Sequence, residues 1–361
     1  MRNNILLITG GTAGHVIPSE NLGNFLLSKN RNCVIISDKR GNNYINNFNG
    51  KLYLINSSNL NGNIIKKLIG LCSLILGFFQ SLFIVLYFKP SKVISFGSYA
   101  SFAPMLCCTL LKSIYKIDIY IHEQNSIIGR TNKFFLKYCN KLFLNFDIIS
   151  KISIRYLSRT HVVGLPEKHL QADLSKKIKF EDQMFSICIL GGSQGSEFIS
   201  KFALNLIKII EAEKKINIKF IFQSPKHLID EIKTDLEKIQ SKFIIDNYFH
   251  DVDELLENTS LMISRSGAGT IRNLIDYSIP SILIPLPSAK DNHQFENASI
   301  LVKHDVAIII DQKNINYNKA KNYIYEIYNN KKKVMLIREK LDKIKVKNSN
   351  SLIYKLIDYE K

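Results

Sequence analysis

The chain has 361 residues, 46% of them hydrophobic, enough to bury a sizeable core; the length favours two domains of ordinary size, and a disordered chain is excluded. A formal charge of +18 fits an anionic partner, and fits equally the Lys-, Asn- and Ile-rich usage of a biased genome. The charge is spread along the chain with no nucleic-acid-binding module, which argues against nucleic acid, and the cysteines at 33, 72, 107, 108, 139 and 188 show neither a CxxC pair nor zinc spacing, so they read as buried thiols of a reducing cytoplasm.

The apolar run "NNILLI" predicts a first strand at 4–8 that passes straight into "TGGTAGHVIP" (9–18), so no cleaved leader is expected. Further strands are expected near 33–37, 52–55, 92–96 and 118–121, separated by helical stretches in the βαβ rhythm of a parallel sheet. Between the third and fourth lies "LIGLCSLILGFFQSLFIVLYF", residues 68–88, uncharged and flanked by Lys66, Lys67 and Lys89. By length it can span a bilayer, but strands that pair in one sheet need a crossover helix on one side of it. The favoured reading is an apolar helix dipping into one leaflet, with a buried crossover helix and a spanning helix as the alternatives.

A second series of strands follows "VVGLPEKHL", at 185–190, 218–223, 261–264 and 281–286, with Gly164 and Pro166 marking the junction. The final stretch from Lys333 is helical and amphipathic and returns toward the first domain. Each series carries a glycine-rich turn where its first strand meets a helix, "GGTAGH" and "GGSQGS", and "SRSGAGT" adds a third. Such turns bring free N–H groups to an anion, here a diphosphate. None is a Walker loop or a G-x-G-x-x-G dinucleotide turn. "DVD" at 251–253 has the form of a metal-holding pair, but an Asp-x-Asp is common by chance, and no metal or cofactor is expected.

Taken in order with "SFGSYASFAP" (95–104) and "HEQNSIIGRTNKFF" (122–135), these turns resemble the MurG family, bacterial N-acetylglucosaminyltransferases of glycosyltransferase family 28. The likeness runs from Gly10 to Ala298; "HEQN" with "TNK", then "SRSGAGT" and "DNHQFENA" (291–298), are its most specific parts. The resemblance implies an α/β GT-B architecture, two Rossmann-like doubly wound parallel-sheet domains facing across a cleft. Residues 1–163 would form the acceptor and membrane domain, 164–341 the UDP-GlcNAc domain, and a helix at 342–358 would pack back on the first. It implies inverting transfer of N-acetylglucosamine from UDP-GlcNAc to the C4 hydroxyl of an undecaprenyl-diphosphate-linked muramyl-peptide. The enzyme would then sit peripherally on the cytoplasmic face of the inner membrane, with 68–88 as docking surface and Lys66, Lys67, Lys133 and Lys137 against anionic head groups. The alternatives are another GT-B enzyme acting on a UDP-sugar, including an epimerase, or a non-catalytic membrane-associated binding protein.

Carried over residue by residue, Gly10, Gly11, Thr12, Ala13 and Gly14 form the loop for the acceptor diphosphate, Ala13 replacing the family's usual glycine. His15 beside it is a candidate general base, since an imidazole with an ordinary pKa near ~6.5 accepts a proton at neutral pH. Glu123 of "HEQN" is the rival base, or else fixes its own loop; Asn125 contacts the donor sugar, and Tyr99 and Ser101 shape the acceptor side. On the donor side Ser193 meets the phosphates, and Lys168 stands in place of the family's usual arginine, without its bidentate fork. Phe249 and the turn Ala268, Gly269, Thr270, with Ile271 and Arg272 after it, match the uracil and ribose contacts. Gln294 reads the sugar, and Asn273 replaces a glutamate that accepts from the ribose.

Overall fold

The apolar runs become strands because a parallel sheet covered on both faces buries every side chain of its central strands: Leu6, Leu7 and Ile8, and Ile187, Cys188 and Ile189, have 0% exposure. The computed structural model describes residues 4–58, 63–148, 151–168, 184–192, 195–213, 216–249 and 251–358. Its first strands are β1 (Asn4–Ile8), β2 (Asn32–Asp38), β3 (Lys51–Ile55), β4 (Lys92–Ser95), β5 (Asp118–Glu123), β6 (Lys141–Leu144) and β7 (Thr160–Val162). The second series is β8 (Phe185–Leu190), β9 (Ile218–Gln223), β10 (Lys242–Asp246), β11 (Leu261–Ser264), β12 (Ser281–Leu283) and β13 (Ala307–Ile309). The orders are β3-β2-β1-β4-β5-β6-β7 and β10-β9-β8-β11-β12-β13, with every neighbouring pair parallel, so the expected pair of doubly wound sheets is what the chain forms.

The chain divides into two compact units, Met1–Leu170 with Val346–Lys361, and Gln171–Lys345. The expected boundary at 163/164 lies just before this division. The helix expected over 342–358 is instead two helices, Lys331–Ile344 and Ser349–Asp358. The second joins the first unit's core through Ile353 and Ile357, which pack with Leu22, Leu26 and Ile35, and Arg31 pairs with Asp358 at 2.5 Å.

In each sheet the strand order reverses at one point, between β1 and β4 and between β8 and β11. Doubly wound sheets bind ligands at the carboxyl ends of the strands flanking that reversal. The loops that leave those four strands are the ones that carry the glycine turns and the "SFGSYAS" segment.

The apolar segment is a helix, Ile64–Phe88, capped by Asn63 and ended by Lys89 at φ 48°. It begins after β3 and ends before β4 of one sheet, so it returns to the side it left and does not cross a membrane. Nor is it the buried crossover that the sequence left open. Its buried stripe is narrow, Gly70, Gly77, Ser81, Ile84, Val85 and Phe88, and a Cβ on Gly77 would lie 2.0 Å from the Asn56 carbonyl oxygen. The opposite side leaves Ile65, Ile69, Phe79, Phe83 and Tyr87 each more than 60% exposed. Cys72 is exposed on this helix, against the expectation of burial; the other five cysteines are buried.

Candidate active site

The first glycine turn follows β1 and opens the helix Ala13–Ser28. Gly11 sits at φ 79°, and a Cβ on Gly10 would meet Ala100 Cβ at 2.5 Å, so the turn is bare because the loop after β4 presses on it. Thr12 occupies the N-cap without a side-chain bond. The N–H groups of Ala13 and Gly14, first in the helix, have no intrahelical acceptor and mark the positive end of its dipole. Gly11 is different: its N–H donates to Asp38 Oδ1 at 2.8 Å and is spent inside the fold.

Asp38, 2% exposed at the end of β2, is the buried organiser of this turn. It also accepts from the Gly41 N–H at 2.9 Å, from Ser57 Oγ at 2.9 Å and from Arg40 Nε at 3.0 Å. Burial pushes its carboxyl up, but the bonds from Gly11, Gly41 and Ser57 and the Arg40 charge together hold it below the usual carboxylate range. Asp38→Ala leaves two backbone donors unsatisfied and is expected to cost about 1–3 kcal/mol of stability at neutral pH. Because the folded pKa is depressed, the wild type's advantage is full above about pH 4 and fades as pH falls through the folded value. Denaturant unfolding of both proteins at pH 7 and pH 3 measures it.

His15, one residue into the helix beyond Gly14, turns Nδ1 toward the protein, 2.8 Å from the Phe96 carbonyl and 2.7 Å from Gln124 Oε1. Phe96 follows β4 and Gln124 follows β5, so neighbouring strands of the sheet aim this ring. Glu123 ends β5 at 1% exposure. Its Oε1 accepts from the Asn125 N–H at 3.0 Å, and its Oε2 from the Gly129 N–H and Asn132 Nδ2, both at 2.8 Å. Both oxygens thus accept from the turn 123–132 and tie it together. Asn125 and Tyr99 are half-buried beside these loops. Ser101 is 0% exposed, and its hydroxyl donates to the Gly97 carbonyl one turn back.

In the second unit, the turn after β8 needs glycine at 191, where a Cβ would lie 2.2 Å from the Ser196 nitrogen, and Gly192 and Gly195 take φ of 93° and 72°. Ser193, expected at the phosphates, lies outside the described residues. The turn after β11 opens the helix Ala268–Asp276, with Gly267 as N-cap and no side-chain cap. Ala268, Gly269 and Thr270 therefore offer the unpaired N–H groups of its first turn. Ile271 and Arg272 do not join them. The Ile271 N–H bonds to the Gly267 carbonyl at 3.0 Å and its side chain is in the core, while Arg272 is 5% exposed and pairs with Asp276 at 2.6 Å.

Asn273, on the same helix, is half-buried, as is Phe249 beyond β10. Gln294 fastens its Oε1 to the Leu286 N–H at 2.9 Å, which leaves its NH₂ as a donor. Lys168 is exposed and belongs to the first unit. The aspartates of "DVD" have structural partners: Asp251 caps the helix Val252–Glu257 and Asp253 accepts from Tyr277.

Arg265 was not anticipated. It is 9% exposed, donates to Ser196 Oγ at 3.0 Å, the Ile284 carbonyl at 3.0 Å and Gln312 Oε1 at 2.8 Å, and has no carboxylate partner among the described residues. Burial pulls its pKa down, yet a guanidinium keeps its charge, so an uncompensated cation underlies the glycine turn. Only its place in "SRSGAGT", after a strand and before a bare helix start, signalled it in the sequence.

Residues 5–144 match the glycosyltransferase family 28 N-terminal domain and residues 186–354 the glycosyltransferase family 28 C-terminal domain. The chain is 32% identical over 335 residues to the UDP-N-acetylglucosamine--N-acetylmuramyl-(pentapeptide) pyrophosphoryl-undecaprenol N-acetylglucosamine transferase of Rickettsia bellii, covering 91% of each. It is 30% identical over 364 residues to the protein of that name from Pelagibacter ubique, covering 99% of this chain and 98% of the other. Among solved structures it is similar to Acinetobacter baumannii MurG, with a TM-score of 0.79 at 19% identity over 98% of this chain and 99% of that one. It is also similar in fold to UDP-GlcNAc 2-epimerase from Neisseria meningitidis, with a TM-score of 0.66 at 13% identity over 98% and 99% of the two chains.

Proposed function

The chain belongs to glycosyltransferase family 28, and we infer that it moves N-acetylglucosamine from UDP-GlcNAc to the C4 hydroxyl of a muramyl-peptide carried on undecaprenyl diphosphate, a step of peptidoglycan synthesis. The acceptor belongs to the first unit, its diphosphate against the N–H groups of Thr12, Ala13 and Gly14. The donor belongs to the second. There the turn 191–196 and the Arg265 charge meet the UDP phosphates, Phe249 and the helix start 268–270 hold the nucleoside, and Gln294 reads the sugar. Asn273, an amide where the family has a carboxylate, accepts one ribose bond more weakly.

The acceptor oxygen attacks C1 of the sugar from the face opposite the diphosphate. The bond from C1 to the UDP oxygen breaks, its electron pair leaves on UDP, and the hydroxyl proton passes to His15 Nε2. One in-line displacement inverts the anomeric centre. The observation that carries this reading is the pose of His15: its Nδ1 is turned into the protein at the Phe96 carbonyl, beside a helix start without a side-chain cap, which leaves Nε2 for the substrate. Glu123, with both oxygens bound by its own loop, supports His15 over itself as base.

The exposed apolar side of the helix 64–88 is the membrane-docking surface of this reading, lying in the interface and not across it, with exposed Lys66, Lys67, Lys133 and Lys137 available to anionic head groups on the cytoplasmic face. The acceptor's lipid makes such docking necessary. Transfer of labelled sugar from UDP-GlcNAc to a lipid-linked muramyl-peptide, with a chelator present, tests the function. The expected result is product at an undiminished rate. Epimerisation of UDP-GlcNAc without transfer would contradict it.

A further inference from the structure

The ring of His15 belongs to a longer chain of hydrogen bonds whose protons are all determined. Its Nδ1 lies 2.8 Å from the Phe96 carbonyl, and a carbonyl only accepts, so Nδ1 carries the proton and the neutral ring keeps its lone pair on Nε2. Gln124 is oriented by the same logic. Its Nε2 lies 2.9 Å from the His122 carbonyl, another obligate acceptor, so its Oε1 is the atom 2.7 Å from His15 Nδ1. His122 places Nε2 2.9 Å from the Gly164 carbonyl and therefore donates there, which leaves its Nδ1 to accept from Gln124 Nε2 at 3.1 Å. Every donor faces an acceptor along the whole chain. A rotated Gln124 amide would set its oxygen against two acceptors and its NH₂ against the His15 Nδ1–H.

We propose that Gln124, held by His122, is a positioning residue for sugar transfer: it keeps His15 in the Nδ1–H tautomer and so leaves Nε2 free to take the acceptor's proton. The proposal rests on the reading of His15 as the base. Neither residue meets a substrate, since His122 is 0% and Gln124 1% exposed. His122 is suited to a fixed link. Burial above all, opposed by the bond to Gly164 and helped by the nearby His15, brings its pKa down to about 4, so the ring stays neutral at working pH. Its ring also stacks on Phe96, with centroids 5.2 Å apart, which fixes the plane in which Nδ1 accepts.

The test reads the tautomer directly, by long-range ¹⁵N–¹H correlation on the full-length protein labelled at histidine, at mildly alkaline pH. The expected spectrum of the wild type has the unprotonated nitrogen of His15 at Nε2. Gln124→Met, similar in length but without donor or acceptor, is expected to mix the tautomers and lower kcat about 10- to 100-fold, with KM for UDP-GlcNAc changed less than about twofold. A wild-type His15 protonated at Nε2 would overturn the proposal, even if Gln124→Met failed to fold. So would Gln124→Met with unchanged tautomer and unchanged kcat. The spectrum needs no turnover, so failure here is distinct from failure of His15 as base, which is read from turnover of His15→Ala.

Discussion

His15→Ala loses transfer by on the order of 10²- to 10⁴-fold at neutral pH while its affinity for UDP-GlcNAc stays within about twofold of the wild type. The rate falls because the substitution removes the one group in the first turn that can take a proton; the other residues there, Gly10 to Gly14, offer amides and a threonine hydroxyl. Binding is expected to survive because the proposed donor contacts lie in the second unit, at the turns after β8 and β11. Radiolabelled transfer under single-turnover conditions, with calorimetry for UDP-GlcNAc, measures both. Undiminished turnover would move the role to Glu123. That outcome has a structural obstacle, since the Glu123 carboxylate would have to release the Asn125, Gly129 and Asn132 donors that order its own loop.

The second large effect is on the membrane. Phe79 and Phe83 are 61% and 72% exposed on the side of the helix opposite its narrow buried stripe, so both rings are available to a lipid interface. Inserting a phenylalanine side chain is worth roughly 1.5–3 kcal/mol, so the double change Phe79→Ser with Phe83→Ser is expected to weaken binding to anionic phospholipid vesicles about 10²-fold or more. Removing the charge of Lys66 and Lys67 should act more weakly, about 1 kcal/mol each, and its effect should vanish in high salt. Vesicle sedimentation at two ionic strengths separates the contributions. Equal binding by the double variant and the wild type would contradict the docking surface.

Chemistry tied to neighbouring residues is legible in the sequence. The glycine turns announced themselves because a strand end, bare backbone and helix start are contiguous, and the topology sets them where each strand order reverses. The alternation of strands and helices marked two doubly wound sheets, although β6, β7, β10 and β13 went unread. These are only three to five residues long and lie toward the edges of their sheets, where β10 shows a pattern of alternating exposure.

What the sequence could not carry was the partner of each polar group. Asp38 looks like an ordinary strand-end aspartate until the fold brings Gly11 to it from 27 residues away. Ser101 and Arg272 are polar residues beside the glycine turns, yet the Ser101 hydroxyl bonds to Gly97 and Arg272 pairs with Asp276, each about one turn away. Gln124 lay inside the most recognisable motif, between two residues weighed for chemistry, but its link to His15 spans 109 positions. Arg265 is an arginine without a carboxylate partner among the described residues, a property of packing that no local pattern reports.

At the centre of this account is one placement, the acceptor's hydroxyl at His15 Nε2 with its diphosphate on the open end of the first helix. An experimental structure with UDP and a short-chain acceptor analogue tests it most directly. The account predicts the C4 oxygen about 2.6–3.2 Å from His15 Nε2 and phosphate oxygens at the N–H groups of Ala13 and Gly14. An acceptor bound with its hydroxyl against Glu123, or with its diphosphate away from that helix start, would contradict it.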